Sequence, residues 1–172
     1  MFFRHALVLA AAAAALTACG SSAEPAAAPS PSPSDSAVAA TGGLSITDPW
    51  VKTAEKGMTA AFGTLVNNTD RPITIVSGSS PLSSEIELHE VVESGGKMVM
   101  RPKEGGFVVP AHGTHTLEPG GDHIMLMNVT EEVLPGAQIP FTLQVQGGEP
   151  LEFTAVGKDF AGGEEDYQPG HK

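Results

Sequence analysis

Residues 89–127 read HEVVESGGKMVMRPKEGGFVVPAHGTHTLEPGGDHIMLM, and the alternation inside this stretch decides the fold. Met98 and Met100 are two apart, as are His123, Met125 and Met127. On a β-strand, residues two apart point to the same face. Val99, Ile124 and Leu126 fall between them and take the opposite face, toward a core. Two short strands can therefore each present side-chain donors on one side. His89 closes the run Ile86-Glu87-Leu88-His89 and offers a third approach to the same place.

The same pattern continues on both sides. From residue 44 to residue 158, short runs rich in β-branched and aromatic side chains are cut by Gly, Pro, Asn and Asp. It predicts strands near 44–51, 59–66, 73–77, 85–92, 97–101, 107–109, 114–117, 123–128, 139–146 and 151–156. Asn67-Asn68-Thr69-Asp70, Ser94-Gly95-Gly96 and Gln146-Gly147-Gly148 read as turns, because Gly and Asn tolerate positive φ. No long apolar period of 3.6 residues occurs. The expected fold is all-β, a two-sheet sandwich. A core of that size can form without metal or disulfides.

The ends read differently. Residues 1–18 carry Arg4 and His5 and then the apolar run 6–16, too short to span a bilayer and suited to a signal peptide. Leu16-Thr17-Ala18-Cys19 resembles a bacterial lipobox. Cys19 is the single cysteine, so no internal disulfide can form, and lipid attachment through its sulfur is the role left to it. Residues 19–43 form a linker rich in Pro, Ala and Ser that cannot offset its ordering entropy. Extended as polyproline II, it reaches roughly 75 Å. Residues 159–172 are acidic and Gly-rich and read as a disordered tail.

The net charge of −11 argues against nucleic acid, which demands a basic face. Enzyme readings find no support. There is no nucleophile elbow and no Gly-rich phosphate loop. His112-Gly113-Thr114-His115 lacks the spacing of a catalytic zinc site.

What the central stretch does carry is a donor set. It holds His89, His112, His115 and His123, four of the six histidines, and Met98, Met100, Met125 and Met127, four of the six methionines. Met58 lies outside the cluster. One methionine alone is ordinary core filler, but imidazoles and thioethers co-patterned on strands suit a soft metal, above all Cu(I). A blue-copper electron carrier would need a thiolate, and Cys19 lies outside the domain.

Here the sequence resembles the PCuAC-type periplasmic copper chaperones. His89 is followed by ten residues and Met100, then by twenty-two residues and His123-Ile124-Met125. The surroundings match as well, in Glu87-Leu88-His89-Glu90, Met100-Arg101-Pro102 and Pro119-Gly120-Gly121. The resemblance runs from about residue 50 to residue 156, with one extra residue in the Gly/Pro-rich connection. It implies a cupredoxin-like or immunoglobulin-like Greek-key β-sandwich. It also implies Cu(I) ligation by His89, Met100, His123 and Met125, with Met98 and Met127 as second choices. The function implied is Cu(I) delivery to a copper-accepting protein, a cytochrome oxidase subunit or its assembly factor, from the outer face of the cytoplasmic membrane. His112 and His115 are a candidate for a weaker Cu(II) site. Two other functions fit the sequence: copper buffering for resistance, and an interaction lipoprotein whose methionines merely pack.

Overall fold

The computed structural model describes residues 39–162 and 166–167. The leader, Cys19, most of the linker and His171 lie outside the described residues. Twelve strands occur among the described residues, and no helix. They are β1 (Ala39–Thr41), β2 (Leu44–Lys52), β3 (Gly57–Asn67), β4 (Ile73–Ser79), β5 (Glu85–Ser94) and β6 (Lys97–Pro102). They continue as β7 (Phe107–Val109), β8 (Thr114–Leu117), β9 (His123–Val129), β10 (Gln138–Val145), β11 (Leu151–Lys158) and β12 (Asp166–Tyr167). All ten expected strands are present, and β7 and β8 have the expected bounds.

The ladder runs β12-β6-β5-β9-β3-β2-β11-β10-β4-β7, with β1 on β2 and β8 on β3. Most pairs are antiparallel; β11 joins β2 in parallel, matching Val156 with Trp50. This is the cupredoxin-like, immunoglobulin-like Greek-key sandwich. β3 makes the turn between layers. Its first half pairs with β9, up to Ala61 opposite Ile124. Its second half pairs with β8, from Gly63 opposite Leu117. Gly63 sits at the switch with φ of 149°, and a Cβ there would meet Ile46 Cδ1 at 3.1 Å. Glycine is the residue that takes such a backbone without strain.

The core follows from alternation. Leu44, Ile46, Leu65, Leu88, Ile124, Leu126, Phe141, Leu143 and Phe153 pack together with almost no exposure. Val99 is buried too. The apolar partners of the His/Met pattern thus take the inner face, as expected. Two of the expected turns hold at their glycines: Gly95 and Gly96, with φ of 62° and 81°, close the β5–β6 hairpin, and Gly147 has φ of 67°.

Two boundaries need correction. Residues 39–41 were expected in the linker, yet they pair with β2 in register from Ala39 opposite Ile46 to Thr41 opposite Leu44. The tail was expected to be disordered, yet β12 extends the sheet beside β6, with Tyr167 opposite Met100. Polar, Gly-rich composition conceals both, because two or three backbone pairs need little apolar sequence.

Candidate metal centre

Three neighbouring strands bring the donors together. In the β5–β9 ladder, His89 is opposite His123 and Glu87 is opposite Met125. In the β5–β6 ladder, Pro102 is opposite His89 and Met100 is opposite Val91. Directly opposed residues share a face. His89, Met100, His123 and Met125 therefore stand on one face of β6-β5-β9, the face turned away from the core. Ala60 of β3 is opposite Met125 and continues that face.

A side chain on an outer face is normally wet, yet these four are buried. His89 is 0% exposed, His123 4%, Met125 5% and Met100 8%. Aromatic rings supply the cover. Tyr167 stacks on His89 at 5.6 Å between centroids and 8° between planes. Phe62 lies 6.2 Å from His123 and 4.4 Å from Trp50, and Phe160 closes edge-on to Trp50 at 5.6 Å. Lys52 Nζ donates to the carbonyl oxygen of Gly162, which ties down the end of the 159–162 segment. The residues read as a tail thus help to dry the site.

Hydrogen bonds fix both imidazoles. His89 Nε2–H donates to Glu87 Oε2 at 2.7 Å. That leaves the lone pair on Nδ1, which is buried and has no hydrogen-bond partner. A buried polar atom without a partner is rare and costs on the order of 1–3 kcal/mol. His123 Nδ1–H donates to the carbonyl oxygen of Gly121 at 2.9 Å, which puts its lone pair on Nε2. The two rings lie 5.5 Å apart at 70°. Burial lowers the pKa of His89 from its ordinary value, against the opposing hydrogen bond and charge of Glu87. A neutral imidazole whose other nitrogen donates to a carboxylate is the arrangement of metal-ligating histidines. Burial, and then the charges of Glu87 and Glu85, raise the pKa of Tyr167, so it stays a neutral phenol. Its hydroxyl lies 3.5 Å from Glu87 Oε2.

Met100, His123 and Met125 open onto a pocket of about 420 Å³ that Met58, Phe62 and Tyr167 also line. His89 sits behind it, in contact with the rings of His123 and Tyr167. The donor set is two imidazoles and two thioethers. Among the described residues, no three His, Cys, Asp or Glu gather as a ligand group. Hard cations want oxygen and zinc wants imidazole, thiolate or carboxylate, so the chemistry here is that of a soft ion.

The remaining candidates fall elsewhere. Met98 is 51% exposed, opposite Glu93 near the hairpin end. Met127 is opposite Glu85 and does not line the pocket. His112, at φ of 50°, bonds Asp70 Oδ1 at 2.7 Å. His115 packs on Phe107 at 5.2 Å, with Asp122 Oδ2 2.9 Å from its Nε2 but out of line for a hydrogen bond. Each of this pair is engaged with its own carboxylate, and the expected Cu(II) site gains no support from their placement. Sequence reading passed over Glu87, Met58 and Tyr167. Glu87 was within reach, being two residues from His89 and hence on its face. Met58 and Tyr167 are far from the motif in sequence and reach it only through strand order.

Residues 44–156 match the family described as putative lipoprotein LpqE-like. The chain belongs to this LpqE-like family. A protein of Leifsonia xyli subsp. xyli, itself named as a putative lipoprotein, is 37% identical over 126 residues, covering 73% of this chain and 76% of that one. Among solved structures, the copper-bound PCuAC domain from PmoF2 superposes with a TM-score of 0.60 at 19% identity, covering 72% of this chain and 98% of that one; it shows the shared fold. The Cu(I) form of DR1885 from Deinococcus radiodurans has a TM-score of 0.51 at 31% identity, covering 69% and 82%. The LpqE-like chain thus shares the fold of the PCuAC domains.

Proposed function

We propose that this LpqE-like chain is an extracytoplasmic copper chaperone. It holds one Cu(I) through His89, Met100, His123 and Met125 and passes it to a copper-accepting protein. The observation that carries this reading is the buried, unpartnered Nδ1 of His89, whose Nε2 is committed to Glu87, beside a second fixed imidazole and two buried thioethers. The names of the solved PCuAC structures support copper as the cargo.

Each residue has a task. Glu87 holds the His89 tautomer and Gly121 holds that of His123. Met100 and Met125 favour the reduced ion and carry no proton to lose near neutral pH, so they add no pH dependence to binding. The aromatic cover excludes water. Cys19 anchors the chain by lipid on the outer face of the cytoplasmic membrane, and a subunit of cytochrome oxidase or its assembly factor is the recipient whose chemistry fits.

Titration of the protein with Cu(I) against a competing chelator tests this, with Zn(II) as comparison. One Cu(I) per chain and much weaker Zn(II) binding are expected. A chain that takes no Cu(I), or prefers Zn(II), would leave the methionines as packing residues.

A further inference from the structure

The four buried donors pose a kinetic problem. With exposures of 0% to 8%, the four present little surface to an incoming copper complex, although Met100, His123 and Met125 line the pocket. Cu(I) is not exchanged as a free ion between proteins; a new ligand must attach before an old one leaves. Some donor must therefore face both solvent and site.

Met58 is placed to do this. It lies on β3 and lines the same pocket as Met100, His123 and Met125, yet it is 49% exposed. Among the His and Met side chains lining that pocket, it alone stands open to solvent. β3 reaches this position through its pairing with β9, where Ala60 is opposite Met125 and Gly57 opposite Val129, with a register shift between Gly57 and Thr59. That irregularity falls at Met58 itself. The plain alternative is an exposed methionine of no consequence. Met98 is such a residue by comparison: it is 51% exposed and does not line the pocket.

We propose that Met58 is the exchange ligand of this site, the thioether that first captures Cu(I) from a carrier and last holds it on release. This rests on the copper reading above. In the step, the Met58 thioether donates a lone pair to the carried Cu(I) and one donor of the carrier departs. A buried thioether or imidazole of the site then displaces the next. Copper remains Cu(I) throughout, and no proton or electron moves. A ligand used only in passage contributes to the barrier and not to the resting affinity. Removing it must slow loading and release by the same factor and leave the equilibrium unchanged.

The test uses the full chain in detergent, with Cu(I) bicinchoninate as donor and excess bicinchoninate as acceptor, followed by stopped-flow absorbance. Met58→Leu keeps the volume and apolar character. The expected result is transfer slowed about tenfold in both directions, roughly 1.4 kcal/mol of barrier, with equilibrium affinity within about twofold of the parent. Met98→Leu should exchange at the parental rate. Unchanged rates in Met58→Leu would overturn the proposal. So would a loss of affinity as large as that of Met100→Leu, which would make Met58 a resident ligand. Absence of Cu(I) binding by the parent chain would remove the copper reading itself, an outcome separate from either.

Discussion

His89 illustrates how much a single side chain can be asked to do. It is fully buried, donates from Nε2 to Glu87, stacks under Tyr167 and keeps an unsatisfied Nδ1. Without metal this is a liability, and pH exposes it. Burial lowers the pKa of His89 in the fold, while the unfolded chain returns to the ordinary value of 6.5. Below that value the unfolded state binds a proton that the folded state resists. Stability of the metal-free protein is therefore unpenalised above about pH 6.5 and falls as pH drops through that value. Glu90 acts at lower pH. Its pKa is lowered, first by the hydrogen bond from Lys103, so its contribution is present above 4.5 and lost as pH falls further. Thermal midpoints of metal-free protein at about pH 7.5 and about pH 5.5 isolate the His89 part. The parent should lose more than His89→Asn across that interval. Equal losses would mean that the burial of His89 does not govern its protonation.

At the scale of elements, the instructive pair is β5–β9 and β12. The first was legible: alternation around His123-Ile124-Met125 gave the strand, its faces and the apolar residues behind it, because one face is packed and a slip of one residue would invert every side chain. The second was not legible. Nothing in residues 159–172 signals a strand, and its two residues are held by the edge of β6 and by one ring on His89. Asp159 accepts a hydrogen bond from Thr53 Oγ1 at 2.8 Å, again a contact no local pattern announces. That His123 and Met125 share a face was readable because they are two residues apart; the cover over them was not, because it comes from rings distant in sequence. The cover has a measurable consequence. Tyr167→Ala should weaken Cu(I) binding about tenfold, the usual scale for a residue one step behind a metal ligand. Tyr167→Phe keeps the stacked ring and should retain most of the affinity. Chelator competition on both variants decides it; parental affinity in Tyr167→Ala would show that His89 needs no shield.

For the whole molecule, the proposed organisation is an anchor, a tether and a domain. The domain holds all the described strands, and its last strand, β12, pairs with β6, one of the donor strands. A charge of −11 keeps it soluble and draws cations in general, without choosing copper. On the proposed reading, that choice resides in the pocket. Cys19, the only cysteine, is the proposed lipid anchor. Two acyl chains on one thioether-linked glyceride suffice for stable attachment where one chain is marginal. Cys19→Ser should move the protein from the membrane fraction to the soluble fraction while leaving Cu(I) affinity unchanged. Retention of that variant in membranes after a high-salt wash would disprove the lipid anchor.

The central claim is that thioethers and imidazoles from β5, β6 and β9 hold the copper. X-ray absorption of the Cu(I)-loaded protein, paired with chelator competition on Met100→Leu, tests it most directly. Met98→Leu, exposed and away from the pocket, is the matched control. The account predicts a first shell of nitrogen and sulfur. It predicts Cu(I) affinity lowered roughly tenfold or more in Met100→Leu at less than about 1.5 kcal/mol of stability, and unchanged in Met98→Leu. A first shell without sulfur, or equal affinity in the two variants, would contradict it.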